Sequence, residues 1–213
     1  MQLTKFTHSC VRFDDGERAL VIDPGVFSEV DAALDGAQAV LITHEHPDHL
    51  DVDRLRAAAV KDPRLRIWAP QSVATSLGDL GEQVVAVGPG ESLDVAGFGV
   101  QSFGGQHALI HSSIPMVANV AYLVEGSVYH PGDSFVVPPV PVQTLLVPIV
   151  APWSKVSEVI DFVVAVRAPK VHQIHEAVAN EVGLNLVEGH VTRIGAQYGV
   201  EYSHTATGES LSV

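Results

Sequence analysis

Thr43-His44-Glu45-His46-Pro47-Asp48-His49-Leu50-Asp51 is the stretch on which the reading of this chain turns. It packs three imidazoles and a carboxylate into a few residues, and these side chains hold zinc, manganese or iron at roughly 2.0–2.2 Å. Alternate residues of an extended segment point the same way, so His44 and His46 share one side. Pro47 then bends the chain, and Asp48 and His49 lead toward a helix after Asp51 and point elsewhere. Two adjacent metal positions are expected. Glu45, whose neighbours already fill the coordination, is read as structural or facing solvent.

Working outward, short runs rich in β-branched residues mark strands at Ala19–Ile22, Val40–Thr43, Arg66–Ala69, Val84–Val87, Gly99–Phe103, Val117–Val124, Val128–His130, Leu145–Ile149 and Val171–Ile174. Helical spacing follows Asp51 through Val52, Leu55, Ala58 and Ala59, and follows Ser154 through Val156, Val159, Ile160 and Val163. A third helix is expected from Asn180 to about Tyr198. Early strands in hairpins, then strands interleaved with helices, predict a layered α/β sandwich. Apolar strands repeatedly end in an acid or an imidazole, at Asp23, His44, Asp133 and His175. Strand ends on one edge of a sheet are where α/β folds place their sites.

The chain of 213 residues has 46% hydrophobic and 17% charged residues, with no low-complexity linker, and is expected to form one domain over 1–213. Its formal charge of −13, with 12 Lys and Arg, opposes nucleic acid or an anionic membrane as partner. The segment Met1-Gln2-Leu3-Thr4-Lys5-Phe6 carries no basic region followed by an apolar stretch, so the expected address is the cytoplasm. A single cysteine, Cys10, cannot close a disulfide within the chain and reads as a small core residue. Histidine is the outlier, with 11 residues against 12 Lys and Arg together.

The motif resembles the HxHxDH signature of the metallo-β-lactamase superfamily, matched by His44, His46, Asp48 and His49. Gly104-Gly105-Gln106-His107, Gly132-Asp133 and the late strand ending in His175 follow in the family's order, and Asp23-Pro24-Gly25 looks like its early turn. The phrase Val87-Gly88-Pro89-Gly90-Glu91 is similar to the small bacterial branch that includes ascorbate-6-phosphate lactonase. The resemblance implies a four-layer αββα sandwich with the site along one edge. It assigns His44, His46 and His107 to a first metal, Asp48, His49 and His175 to a second, and Asp133 as a bridge. His44, His46, Asp48, His107 and Asp133 are then the catalytic set. Two divalent ions are implied, zinc first, with manganese or iron(II) as alternatives. A water or hydroxide between two dications is the expected nucleophile, because close dications lower its pKa toward neutrality.

The expected reaction is hydrolysis of a small-molecule ester, lactone, amide or phosphodiester. The rival reading is a metal-binding or scaffolding module of the same fold without turnover, which loss of a ligand would favour; none is missing. Nuclease relatives fit poorly with the acidic chain, and β-lactam hydrolysis with the lack of an export signal. Asp23 is expected to orient a ligating imidazole, since metal-bound His donates its other N–H to such a group. His8, His111 and His130 stand near the site without being counted as ligands, Lys155 is the nearest basic residue, and the glycines at 104, 105 and 132 read as turns. Both His172 and His175 have ligand spacing, and His175 is chosen because residues three apart on a strand face opposite sides. The apolar stretch Ala108-Leu109-Ile110-His111-Ser112-Ser113-Ile114-Pro115-Met116 suits a substrate pocket or a contact between copies in a homo-oligomer.

Overall fold

The computed structural model describes residues 1–213. The chain opens with a meander of β1 (Gln2–Lys5), β2 (Val11–Asp14) and β3 (Ala19–Ile22). Short α1 (Val30–Leu34), β4 (Ala39–Leu41), α2 (Val52–Lys61), β5 (Arg66–Ala69), α3 (Gln71–Ser76) and β6 (Val84–Ala86) complete the first half. The second half runs through β7 (Ser92–Val95), β8 (Phe98–Gly104), β9 (Val120–Val124), β10 (Val128–His130), β11 (Thr144–Pro148), α4 (Val156–Val166) and β12 (Lys170–Ile174). It closes with α5 (Glu181–Gly195), β13 (Glu201–Tyr202) and β14 (Ser210–Ser212). No helix is long and apolar enough to cross a membrane.

Two seven-stranded sheets result, one ordered β14-β1-β2-β3-β4-β5-β6 and the other β13-β12-β11-β10-β9-β8-β7. The side-chain period of two divides each strand between two apolar layers. In β3, Leu20 and Ile22 face the opposite sheet while Ala19 and Val21 face the helices. In β9, Val120, Tyr122 and Val124 meet the first sheet, whereas Ala121 and Leu123 pack under α4 with Phe162 and Val163. Helices α1, α2 and α3 therefore cover one outer face, α4 and α5 the other, and the architecture is the αββα sandwich. The expected strands are present, three with the expected ends and six with an end shifted by one to three residues; β1, β2, β7, β13, β14, α1 and α3 are additional.

Helix starts follow local chemistry. Asp51 caps α2 by accepting from the Arg54 amide at 3.1 Å, and Asn180 caps α5 by accepting from the Gly183 amide at 2.8 Å. The helix expected to run to Tyr198 ends its α-helical part at Gly195 and continues as a 3-10 turn through Tyr198.

Parity then decides where the strands end. β1 and β3 both run antiparallel to β2, so they are parallel to each other and to β4. In the second sheet β8, β10, β11 and β12 share a direction, because β8 and β10 are each antiparallel to β9. The exits of β1 and β12 are tied by a buried ion pair. Lys5, only 1% exposed, places Nζ 2.8 Å from Glu176 Oε1 and also bonds the Phe6 carbonyl. The same carboxylate oxygen accepts the His8 amide at 2.8 Å. Burial lowers the Lys5 pKa and Glu176 opposes that shift.

Removing one partner of a buried pair leaves an uncompensated charge, so Glu176→Ala should destabilise the protein by about 3 kcal/mol in urea unfolding. Lys5→Met combined with Glu176→Ala should recover part of that loss. A single-variant loss under about 1 kcal/mol would show that solvent screens the pair.

Candidate metal centre

The parallel strands deliver their C-terminal residues to one edge of the sandwich. β1 leads to His8, β3 to Asp23, β4 through Thr43 to His44, β8 to His107, β10 to Asp133 and β12 to His175. Two groups of potential donors form there, with the ligand atoms of each within 4.8 Å of one another. One contains His44, His46, His107 and Asp133, and the other His8, Asp48, His49 and His175. Asp133 lies between them. Its Oδ2 is 3.2 Å from Nε2 of both His107 and His175, and its Oδ1 is 3.0 Å from His49 Nε2.

The tautomers are set from behind. His49 Nδ1–H donates to Asp23 Oδ2 at 2.7 Å, His107 Nδ1–H to the Ala108 carbonyl at 2.5 Å, and His175 Nδ1–H to the Val150 carbonyl at 2.8 Å. Each ring then turns Nε2 toward Asp133, where its lone pair is available to a metal ion. His44 Nε2 and His46 Nδ1 face each other at 3.1 Å, with the other His44 nitrogen beside the Thr43 hydroxyl at 3.0 Å. Despite the short distances around Asp133, its Oδ1 and Nε2 of His107 and His175 are buried without a hydrogen bond of good geometry. Buried polar atoms normally find partners. Lone pairs from imidazole and carboxylate aimed at common points fit divalent ions, and the donor set suits zinc, manganese or iron.

Charge in the cluster is strongly coupled. Burial alone would lower the His49 pKa, but Asp133 and Asp23 on its two sides raise it well above the usual imidazole range. Burial opposes ionisation of Asp133, yet His49, His107 and His175 hold its pKa well below the carboxylate range. His44, buried and close to His49, His107 and His46, is driven well below its ordinary value, although Asp133 opposes the shift. Burial would raise the pKa of Asp48, but the His8 hydrogen bond and the nearby imidazoles bring it down to about 2.

The backbone is shaped for close approach. Asp23 is fully buried and accepts the Thr43 amide at 2.8 Å and the Thr43 hydroxyl at 2.6 Å, which locks the β4 exit to the β3 exit. A Cβ on Gly25 would lie 1.8 Å from the Asp48 carbonyl oxygen, so only glycine lets the Asp23-Pro24-Gly25 turn support the motif. Gly132 has φ +60° and a Cβ there would meet Asn119 Oδ1 at 2.3 Å. That asparagine accepts the Asp133 amide at 3.0 Å.

All seven residues expected as ligands come together here, and His8 joins them. The sequence reading kept His8 off the ligand set, whereas the structure buries it in the second group with Nε2 3.1 Å from Asp48 Oδ2. His175 is in the cluster and His172 is outside it, bonded to the Ser203 carbonyl and the Thr205 hydroxyl. The strand-alternation argument for that choice does not describe the geometry, because β12 stops at Ile174 and His175 turns away in the left-handed region at φ 66°.

His130 is buried, donates from Nε2 to the Ser9 carbonyl at 2.9 Å and accepts the Gly132 amide at 3.1 Å, joining the loops of His8 and Asp133. His111 is exposed and bonds Ser113, Glu45 is exposed, and Lys155 is an 80% exposed residue at the start of α4 beside Glu158. Trp153, in the loop before α4, donates from Nε1 to Asp133 Oδ2 at 2.8 Å.

A family described as "Beta-lactamase superfamily domain" matches residues 2–175. The chain belongs to the metallo-β-lactamase superfamily. It is 40% identical over 200 residues to Protein Rv0786c of Mycobacterium tuberculosis, covering 91% of this chain and 92% of that protein. It is 29% identical over 155 residues to a UPF0173 metal-dependent hydrolase of Aeropyrum pernix, covering 62% of this chain and 61% of the relative. Among solved structures, a metallo hydrolase of the archaeon Ignicoccus hospitalis superposes with a TM-score of 0.74 at 19% identity, over 99% of this chain and 97% of that one. That last likeness is one of fold.

His175→Ala should lower the metal content of the purified protein, measured by elemental analysis, by about one ion per chain, on the premise that each cluster holds one. His172→Ala should leave the content unchanged and shift only the unfolding midpoint. Equal metal loss in both variants would contradict the assignment.

Proposed function

We propose that this metal-dependent hydrolase cleaves an ester, lactone or amide in an uncharged small molecule, using water as the nucleophile. The observation that carries the reading is the convergence of buried, unpartnered donor atoms of His107, His175 and Asp133 on the space between the two groups. Divalent ions held there supply Lewis acidity and make water nucleophilic at neutral pH. His44, His46 and His107 would hold one ion, Asp48, His49 and His175 the other, with Asp133 shared. Zinc is favoured by the preponderance of imidazole nitrogen, with manganese or iron(II) as the alternatives.

The protein's own groups do the orienting. Asp48, 23% exposed and hydrogen-bonded to buried His8, is the carboxylate of the site most open to solvent and is placed to align incoming water. Exposed apolar side chains adjoin donors of both groups. Phe27, 47% exposed, meets the His8 ring edge-on at 5.3 Å. Leu109, 60% exposed, and Ile110 follow Ala108, whose amide donates to the Asp133 carbonyl at 2.8 Å. Of the basic residues nearest the site in sequence, Lys5 is buried against Glu176, and Lys155 is 80% exposed with Nζ 3.8 Å from Glu158. This favours an apolar acyl substrate over a phosphodiester, and over the sugar phosphate that the ascorbate-6-phosphate lactonase branch suggests. No protein nucleophile is needed, since Cys10 is fully buried and burial pushes its thiol pKa up to about 12.

Reconstituted protein should bind two ions per chain and turn over apolar esters or lactones in preference to phosphodiesters, with Asp48→Ala reduced to the background rate. One tightly bound ion at saturating metal, or a preference for phosphodiesters, would refute the respective part of the reading. Because the thiol stays protonated until strongly alkaline pH, Cys10 in the folded protein should resist iodoacetamide at pH 8 and react after unfolding in urea. Rapid native alkylation with loss of turnover would restore a thiol mechanism.

A further inference from the structure

Asp133 is the hinge of the site, and one side chain outside both donor groups reaches it. The Trp153 indole N–H donates to Asp133 Oδ2 at 2.8 Å, on the oxygen that also lies 3.2 Å from His107 and from His175. An indole nitrogen is a donor only and keeps its proton at every accessible pH, so it cannot compete with the carboxylate for an ion. It can only fix the carboxylate's direction. The ring spans the two halves, with its centroid 5.8 Å from that of His107 and 6.2 Å from that of His175.

The indole is itself held from the core. Phe135 packs against it edge-on at 5.1 Å, and Phe135 leans at 5.2 Å on Phe162, a buried residue of α4. Behind the ring the chain is pinned by the Ser154 amide bonding the Ala151 carbonyl at 3.1 Å. A continuous stack thus runs from the helix layer under the second sheet to the carboxylate between the two donor groups.

We propose that Trp153 is a positioning residue of the metal centre, its N–H holding Asp133 in the orientation that serves both groups. The proposal rests on the reading that those groups bind divalent ions. Hydrogen-bond partners of metal ligands commonly contribute 10–100-fold to affinity, and a donor on the shared carboxylate acts on both ions together. The position also makes Trp153 a reporter, because the only other tryptophan, Trp68, lies in the apolar core between the sheets.

The test is a titration of metal-free protein with Co2+ and, separately, Zn2+ against a competing chelator, following both affinity and tryptophan emission. In the unsubstituted protein Co2+ should bind and quench emission. Trp153→Phe keeps an aromatic ring and removes the donor. It should weaken binding about ten-fold with the stoichiometry kept, and Co2+ should no longer quench emission to the same extent. Phe135→Leu, which loosens the indole without touching Asp133, should weaken binding in the same direction by less, and decides the matter if Trp153→Phe fails to fold. Affinities within two-fold of the unsubstituted protein in the folded variant would overturn the proposal and leave Trp153 as a wall of the pocket. If the unsubstituted protein itself binds neither ion, the metal reading falls and the proposal falls with it.

Discussion

Everything at the active edge depends on the cost of burying the Asp133 carboxylate. An ionised carboxylate removed from water is tolerated only when opposite charge and directed donors surround it. Here imidazoles of both groups and the Trp153 indole face it while Asn119 holds only its backbone amide, and Oδ1 of Asp133 remains without a hydrogen bond of good geometry. Nε2 of His107 and His175 are in the same position, because their Nδ1 atoms are committed to the Ala108 and Val150 carbonyls and their Nε2 atoms face inward. Divalent cations held there would offset the charge and satisfy these lone pairs together, so the same constraint would bear on both the stability of the edge and its chemistry.

That constraint propagates outward through the strand exits. Asp23 serves two neighbours at once, fixing His49 with one oxygen and the Thr43 amide with the other, so the exits of β3 and β4 cannot shift independently. His130 performs the equivalent task between the Ser9 carbonyl of the first sheet's opening loop and the Gly132 amide of the second sheet. Tyr122 crosses between the layers, donating its hydroxyl to the Ile42 carbonyl at 2.9 Å just before the histidine motif. The register of the two sheets is thereby locked at the residues where a small displacement would separate the two donor groups.

Much of this was legible in the sequence because it depends on short-range patterns. The motif from His44 to His49 and the Asp-Pro-Gly turn are local, and the apolar runs that became β3, β5, β10 and β12 are continuous enough to stand out. The missed strands β1, β2 and β7 alternate or are half exposed, and β13 and β14 are two and three residues long. His8 was missed for a related reason. It sits at the exit of β1, and only pairing parity, in which two successive hairpins make the first and third strands parallel, carries that exit to the edge where Asp23 and His44 lie. Trp153 carries no ligand chemistry of its own, so its role became visible only once Asp133 had a position.

The two halves of the centre are built at different conformational cost. His44, His46 and His107 keep ordinary φ themselves, the positive-φ turn after β8 being taken by Gly104 and Gly105, whereas His8 and His175 both sit at φ 66° and Asp23, which orients His49, at φ 51°. A non-glycine residue in that region costs on the order of 1 kcal/mol or more, and such strain persists only where surrounding contacts overdetermine it. The contacts that do so are identifiable: Glu176 bonds the His8 amide and pairs with Lys5, Val150 receives the His175 ring, and Thr43 grips Asp23. The buried lysine at the end of β1 is therefore part of the site's construction, although it lies outside the donor groups. It fixes the carboxylate that holds His8 in a strained turn, and through that turn it sets the distance between His8 and Asp48 on the second half of the centre.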